Sequence, residues 1–469
     1  MNIQLRRSFC LLIVGLLTAC SRNGFVYSTS YGPVTDEIIS HIEESNPIIV
    51  VPGIGGSSLV DISNGKPAWG SYGYTSYWPA TEKDNKLLAF PWVNEDDESG
   101  KNRYKVKPFS MLNKVAINLI PFVSVDLAIY STIVKSLEKS GYVRYKNMFK
   151  SDLSESGSKP PLFEFAYDWR KSNADNAKEL HRFVEAKSNA LQSQKSNFGN
   201  RKFNIVCHSM GCLVARYYLR YGEQGLGSES TPPNLDWRGS HRIENIIMVA
   251  PPNRGSIEAL TNLVEGFHPH KIKWLKYPPA VLGTMPSMYE LLASKDIIDV
   301  SNQNGERLSL LDPSLWQTMN WGLSDPKQKS ILNQIASEIT TNQNPSAQAK
   351  ILQAKLLHQA KLFHSRLDLE SKSPSGLGFY LFAGLGQPTG AGLVVNTETK
   401  TWSVKRSNAG DGAVLRASAY AIKNTEKPDE GSIIPWDNVI YFNSDHMNLV
   451  QNNDFFANLY DVLIWREKL

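Results

Sequence analysis

Phe203-Asn204-Ile205-Val206-Cys207-His208-Ser209-Met210-Gly211 decides how this chain folds. Its first five residues form a short, mostly apolar run, the pattern of a strand buried on both faces of a parallel sheet. Gly211 to Tyr221 then reads as a helix. A serine therefore sits at a sharp strand-to-helix turn. Such a turn needs small residues two before and two after the serine, so that strand and helix approach closely and the serine adopts a strained backbone. Gly211 meets the need on one side. Cys207 stands on the other, where glycine is usual, and is small enough to serve.

Similar apolar runs recur on either side: Ile48–Val51, Phe163–Tyr167, Ile246–Ala250, Phe379–Ala383 and Val439–Phe442. Helical patterns lie between several of them. Ile129 to Lys139 has apolar residues at 129, 130, 133, 134 and 137, a three-four spacing. Asn176 to Ala190 also reads as a helix, and another, Asp454 to Arg466, follows the last strand. Strands alternating with helices argue a mostly parallel sheet flanked by helices. With the serine turn in place, that is the α/β-hydrolase fold.

Two stretches break the rhythm. Residues 57–125 hold the aromatic cluster Trp69, Tyr72, Tyr74, Tyr77 and Trp78 and read as an early lid insertion. Its rings suit either loop packing or the headgroup boundary of a membrane. The charged segment Asn94 to Lys107 reads as a surface loop. Residues 255–375, with Trp274, Trp316, Trp321 and a long helix around Ser346 to Leu367, read as a helical cap. The hydrolase domain is expected to span 48–469.

A serine nucleophile needs a base within hydrogen-bond reach, and the base needs an orienting acid. In this fold they follow in the order serine, acid, histidine. His446 comes straight after the strand Val439–Phe442, where the base belongs. Asp411 lies between two glycines in Gly410-Asp411-Gly412, a tight loop that can hold a carboxylate at a fixed angle. Asp445 is the rival acid, but its place beside His446 makes the geometry hard. His208, next to the serine, points away from it and reads as a filler of space. The tetrahedral intermediate needs backbone N–H donors. Met210, after the serine, supplies one. The other is expected from Pro52-Gly53-Ile54-Gly55-Gly56, at Ile54, with Gly53 and Gly55 as alternatives. That loop lacks the lysine of a nucleotide-binding loop.

The chain has 469 residues, 41% hydrophobic and 20% charged, an ordinary globular composition. Its net charge of +5 is too small to argue for nucleic acid, and two of the positive charges, Arg6 and Arg7, sit in a leader. They precede the apolar run Phe9 to Leu17 and then Thr18-Ala19-Cys20, the layout of a secretory signal over residues 1–19. Leu17-Thr18-Ala19-Cys20 resembles the bacterial lipobox, which implies cleavage before Cys20 and a lipid on its thiol. Ser21, rather than an aspartate, then favours the outer membrane, facing the periplasm or the surface. Residues 20–47 read as a tether. Besides Cys10 and Cys20 the chain has Cys207 and Cys212, read as small buried thiols. No cysteine or histidine pair has metal-ligand spacing nearby, so neither metal nor cofactor is expected.

Pro52-Gly53-Ile54-Gly55-Gly56-Ser57, Tyr167-Asp168-Trp169-Arg170, His208-Ser209-Met210-Gly211, Gly410-Asp411-Gly412-Ala413-Val414 and His446 resemble the lecithin:cholesterol acyltransferase family. Ala250-Pro251-Pro252-Asn253-Arg254-Gly255-Ser256 resembles its loop after the next strand. The resemblance implies Ser209, Asp411 and His446 as the triad and Ile54 and Met210 as oxyanion donors. It implies transfer of an acyl chain from a phospholipid or other lipid ester to water or an alcohol, through an acyl-serine. Asp168 and Arg170 read as a structural pair. Vertebrate members tie the early lid with a disulfide, and residues 57–125 here hold no cysteine. The alternatives are a soluble-ester carboxylesterase or triacylglycerol lipase, and a non-catalytic lipoprotein that binds lipid.

Overall fold

The apolar runs assemble into one sheet. The computed structural model describes residues 26–27, 44–73, 81–92, 104–120, 123–128, 130–145, 157–268, 276–294, 296–339, 344–425, 427 and 430–465. The leader, Cys20, most of the expected tether, Tyr74, Tyr77, Trp78 and Trp274 lie outside the described residues. The sheet strands are β1 (Val26–Tyr27), β2 (Ile48–Val51), β3 (Val143–Tyr145), β4 (Pro161–Glu164), β5 (Phe203–His208), β6 (Ile243–Val249), β7 (Gly378–Leu385) and β8 (Asn438–Asn443). They lie in the order β1-β8-β7-β6-β5-β2-β4-β3. Every neighbouring pair is parallel. Ile205 on β5 sits between Ile49 and Ile246, and all residues of β2 and β5 are buried. Continuous apolar runs, rather than alternating ones, are what a sheet covered on both faces requires.

The expected tether is not wholly outside the fold. Val26 and Tyr27 pair with Ile440 and Tyr441 at the edge of the sheet. Two residues make too short a pattern to be read as a strand, and pairing with β8 is what gives them their structure.

The helices follow local signals. Helix α1 spans Glu82–Leu88, α2 Ser131–Lys139, α3 Asn173–Ser193, α4 Met210–Tyr221, α5 Ile257–Glu265, α6 Pro345–Asp368 and α7 Asn453–Tyr460. Ser172 caps α3 by accepting from the N–H groups of Ala174 and Asp175. Asn344 caps α6, with Pro345 at the first helical position. Among the described residues no helix is long and apolar enough to cross a membrane.

The insertions hold more strand than their composition suggests. In the early one, Ser57–Asp61 pairs with Pro67–Trp69 and Val106–Met111, and Lys114–Ile120 pairs with Ser71–Gly73 and Val123–Ala128. Val106 and Lys107, expected in a surface loop, belong to the first of these sheets. Asp299–Asn302 in the cap pairs with Thr389–Asn396, beyond the cap's expected end at 375, and that strand pairs with Thr401–Ser407. Thr389–Asn396 holds two glycines and no regular alternation, so long-range pairing decides it.

Tyr167-Asp168-Trp169-Arg170 fastens the early insertion to the sheet. Asp168 and Arg170 are both buried. The guanidinium donates from Nε to Asp168 Oδ1 at 2.9 Å and from Nη2 to Oδ2 at 2.8 Å. Its Nη1 donates to the carbonyls of Leu87, Leu88 and Ala89, where α1 ends and its carbonyls lack helical partners. Asp168→Ala would strand the guanidinium in the interior. It should cost about 3–5 kcal/mol of stability, seen as a lower urea midpoint with an unchanged m-value.

Candidate active site

The serine turn is built by a close approach. A Cβ on Gly211 would lie 2.3 Å from the Pro52 carbonyl oxygen and 2.6 Å from that of Val51. No side chain fits there, so glycine is what lets α4 start directly beneath β2. Ser209 has φ 51° and ψ −128°, a sparsely populated conformation costing about 1–3 kcal/mol for a residue with a Cβ. Its N–H donates to the Val249 carbonyl at 2.9 Å, which fixes the turn against β6.

Cys207 and Cys212 are a disulfide rather than two thiols, with Cα atoms 5.0 Å apart. The elbow itself brings them together, because it folds the first turn of α4 back beside the end of β5. The cysteine that replaces the usual glycine therefore bonds the strand covalently to the helix across Ser209. Such a bond fits an oxidising compartment.

The sheet brings Ser209, His446 and Asp411 into line. His446 Nε2 lies 2.9 Å from Ser209 Oγ, and Nδ1 lies 2.8 Å from Asp411 Oδ2. The carboxylate can only accept, so Nδ1 carries a proton and Nε2 is free to take the serine's. Asp411 Oδ1 accepts from the N–H groups of Ala413 at 2.9 Å and Val414 at 2.7 Å. The His446 N–H donates to the Asp411 carbonyl at 2.9 Å, so side chain and backbone both tie the two loops. Asp445 is occupied elsewhere: its Oδ1 accepts from the Met447 and Asn448 N–H groups.

Burial favours the neutral form of each group, and the pair overrides it. For Asp411, burial alone would raise the pKa. The His446 charge and hydrogen bond, with the Val414 and Ala413 N–H groups, hold it below the usual value. For His446, burial alone would lower it, and Asp411's charge and hydrogen bond, with a contribution from Asp445, raise it above 6.5.

The Gly53 N–H donates to the Tyr130 hydroxyl at 2.8 Å, which removes it as an oxyanion donor. Among the described residues, the N–H groups of Ile54, Gly55 and Met210 have no acceptor. Gly53 packs so tightly on Ser209 that a Cβ on it would lie 2.9 Å from that of the serine. Trp69 is buried beside this loop. Its Nε1 donates to the Gly55 carbonyl at 2.7 Å, and its ring packs on Trp169, Phe267 and Tyr277. It is a wall of the site, not an exposed patch.

His208 does more than fill space. Its Nδ1 lies 2.9 Å from the Tyr130 hydroxyl and its Nε2 3.1 Å from the His446 carbonyl oxygen. Tyr130 carries no motif, and its site partners lie 77 and 78 residues away, so tertiary structure alone reveals it. The Ala250–Ser256 loop braces the acid loop. Asn253 Nδ2 donates to the Ala419 carbonyl, Ser256 Oγ to that of Ala413, and Arg216 on α4 donates to Asn253. Among the described residues no group of three or more His, Cys, Asp or Glu side chains could hold a metal ion.

Residues 116–276 match the family model of lecithin:cholesterol acyltransferase, a stretch that includes Ser209 and ends before Asp411 and His446. Lecithin-cholesterol acyltransferase-like 4 of Arabidopsis thaliana is 24% identical over 262 residues, 53% of this chain. The chain spans 43% of the length of that curated relative. A chain of the Tle4–Tli4 complex superimposes with a TM-score of 0.54 at 13% identity, covering 89% of this chain and 98% of that one, a likeness of fold. Bacillus licheniformis lipase BlEst2 in its propeptide form gives a TM-score of 0.35 at 12% identity, covering 94% of this chain and 52% of that one.

A neutral His446 is the form able to take a proton. Ester kcat/KM should therefore rise with pH through a midpoint above 6.5, the ordinary histidine value. Asp411→Asn should move that midpoint down, because burial is then opposed only by the Asp445 charge, and lower the plateau by about 10^4. A pH–rate profile of both forms reads both effects.

Proposed function

We propose that this chain, whose residues 116–276 match the lecithin:cholesterol acyltransferase family model, is a lipid acyl hydrolase or acyltransferase that works through an acyl-Ser209 intermediate. The hydrogen-bonded line from Ser209 through His446 to Asp411 is the observation that carries this reading. The family supplies the substrate class, a phospholipid or other lipid ester.

In the first half-reaction His446 Nε2 takes the Ser209 proton as Oγ attacks the ester carbonyl carbon. The carbonyl oxygen becomes an oxyanion, stabilised by the N–H groups of Ile54 and Met210, each worth on the order of 3 kcal/mol. The C–O bond to the leaving alcohol breaks, and His446 returns the proton to that alcohol. In the second half, water or an acceptor hydroxyl gives its proton to His446 and attacks the acyl-serine. The fatty acid or new ester leaves, and the proton returns to Ser209 Oγ. Asp411 holds the Nδ1–H tautomer and stabilises the imidazolium throughout.

The address proposed from the sequence places this chemistry beside its substrate. Cys20 would carry the lipid anchor in a bacterial envelope, more fittingly in the outer membrane than the inner. The elbow disulfide supports an exported location, since such bonds persist in oxidising compartments.

The test is acyl release from radiolabelled phosphatidylcholine vesicles, with and without sterol. Wild type is expected to form free fatty acid, sterol ester or both, and Ser209→Ala to lose at least about 10^4 of that rate. Cleavage of a small soluble ester by wild type, with no release from vesicles, would overturn the lipid substrate and leave a carboxylesterase.

A further inference from the structure

Three loops meet at this site from separate strands: residues 52–56 after β2, the elbow after β5, and residues 444–447 after β8. Catalysis needs them held within a fraction of an ångström of one another. Tyr130 and His208 lie at their junction, and both are buried.

The protons of this junction can be assigned by elimination. The Gly53 N–H can only donate, so the Tyr130 oxygen accepts it at 2.8 Å. The phenol's single proton then goes to His208 Nδ1, 2.9 Å away. That leaves the His208 proton on Nε2, which faces the His446 carbonyl oxygen at 3.1 Å, a group that can only accept. Every donor has an acceptor, and a single neutral tautomer of His208 satisfies all three bonds. Burial, and the charge that His446 takes up beside it, push the His208 pKa down to about 3, so the ring stays neutral through the reaction.

Shape agrees with the bonding. A Cβ on Gly56 would lie 2.9 Å from Tyr130 Cε2, and one on Gly53 would lie 3.3 Å from its hydroxyl, so the loop closes directly onto the ring. At the far end, His446 is held by its carbonyl to His208 and by its N–H to Asp411.

We propose that Tyr130 and His208 are positioning residues that work as one relay, setting the oxyanion loop at Gly53–Ile54 against the backbone of the base His446. Neither touches the reacting atoms. The relay rests on the serine mechanism proposed above. It adds that donor and base are placed by a shared hydrogen-bonded strut, so that loosening either end disturbs both.

The test compares wild type, Tyr130→Phe, His208→Gln and the double variant on a p-nitrophenyl acyl ester. Inhibition by an alkylboronic acid, which forms a tetrahedral anionic adduct with the serine, is measured beside it. Tyr130→Phe keeps the ring and loses the bonds, and His208→Gln keeps a donor toward His446. Each single variant is expected to lose about 10- to 100-fold in kcat, less than removal of a whole oxyanion donor, with KM within about twofold. Boronate Ki should rise by the factor that kcat/KM falls. The double variant should lose no more than the worse single one, as parts of one unit do. A loss under about threefold in Tyr130→Phe with boronate binding unchanged would overturn the relay. So would losses that multiply, or a kcat loss without a matching rise in Ki. Wild type that neither cleaves the ester nor is labelled at Ser209 by a fluorophosphonate would overturn the serine mechanism itself, a separate outcome.

Discussion

The closest approach in the site is that of helix α4 to strand β2, and much else depends on it. Gly211 lies against the carbonyls of Val51 and Pro52, with no room for a methyl group. That contact fixes where α4 begins, and so where the chain must turn between strand and helix. Ser209 takes an unfavourable φ as a result. The turn then determines which atoms sit near the serine: the Met210 N–H after it, Gly53 packed on its Cβ, and His446 from the end of the sheet. Proteins keep such strain where the surroundings over-determine it. Here the surroundings include the buried strand β5 and a disulfide from Cys207 to Cys212 across the turn.

Around that turn the structure uses buried polar groups as struts between segments distant in sequence. Arg170 joins Asp168 to the end of α1. Asn253 joins α4 to the acid loop through Arg216 and the Ala419 carbonyl. Tyr167 donates from its hydroxyl to the Pro52 carbonyl at 2.7 Å, and its N–H donates to Ser57 Oγ at 3.0 Å. Each strut is worth little net when complete and costs much if broken, because a lone buried donor has no water to turn to. Their effect is to give the early insertion, the sheet and the acid loop one arrangement.

Much of this was legible because it is local. Apolar runs of four or five residues, a glycine two after a serine, an aspartate between glycines and a histidine at the end of the last strand all lie in contiguous stretches. What was missed is non-local. The strands Thr389–Asn396 and Thr401–Ser407, which follow the expected cap, are polar or glycine-containing, and pairing makes them strands. Cys207 and Cys212 are five residues apart, and neither spacing nor composition says that the elbow folds one onto the other. Tyr130 sits before a helix like many tyrosines, and nothing in its neighbours points to Gly53 or His208.

The sequence by itself determined the chain order of six of the eight sheet strands, the candidate nucleophile, acid and base, and the candidate oxyanion loop. These follow from periodicity, side-chain size and the fixed order of the fold's loops, all properties of residues close along the chain. Tertiary structure decided which donors are free and which are engaged. It engaged Gly53, the alternative oxyanion donor, with Tyr130, turned two cysteines into one bond and packed Trp69 against the Gly55 loop. It also gave His208 two partners. Apart from the disulfide, those outcomes depend on distances of about 3 Å between groups tens to hundreds of residues apart, which a sequence does not carry until the chain has folded.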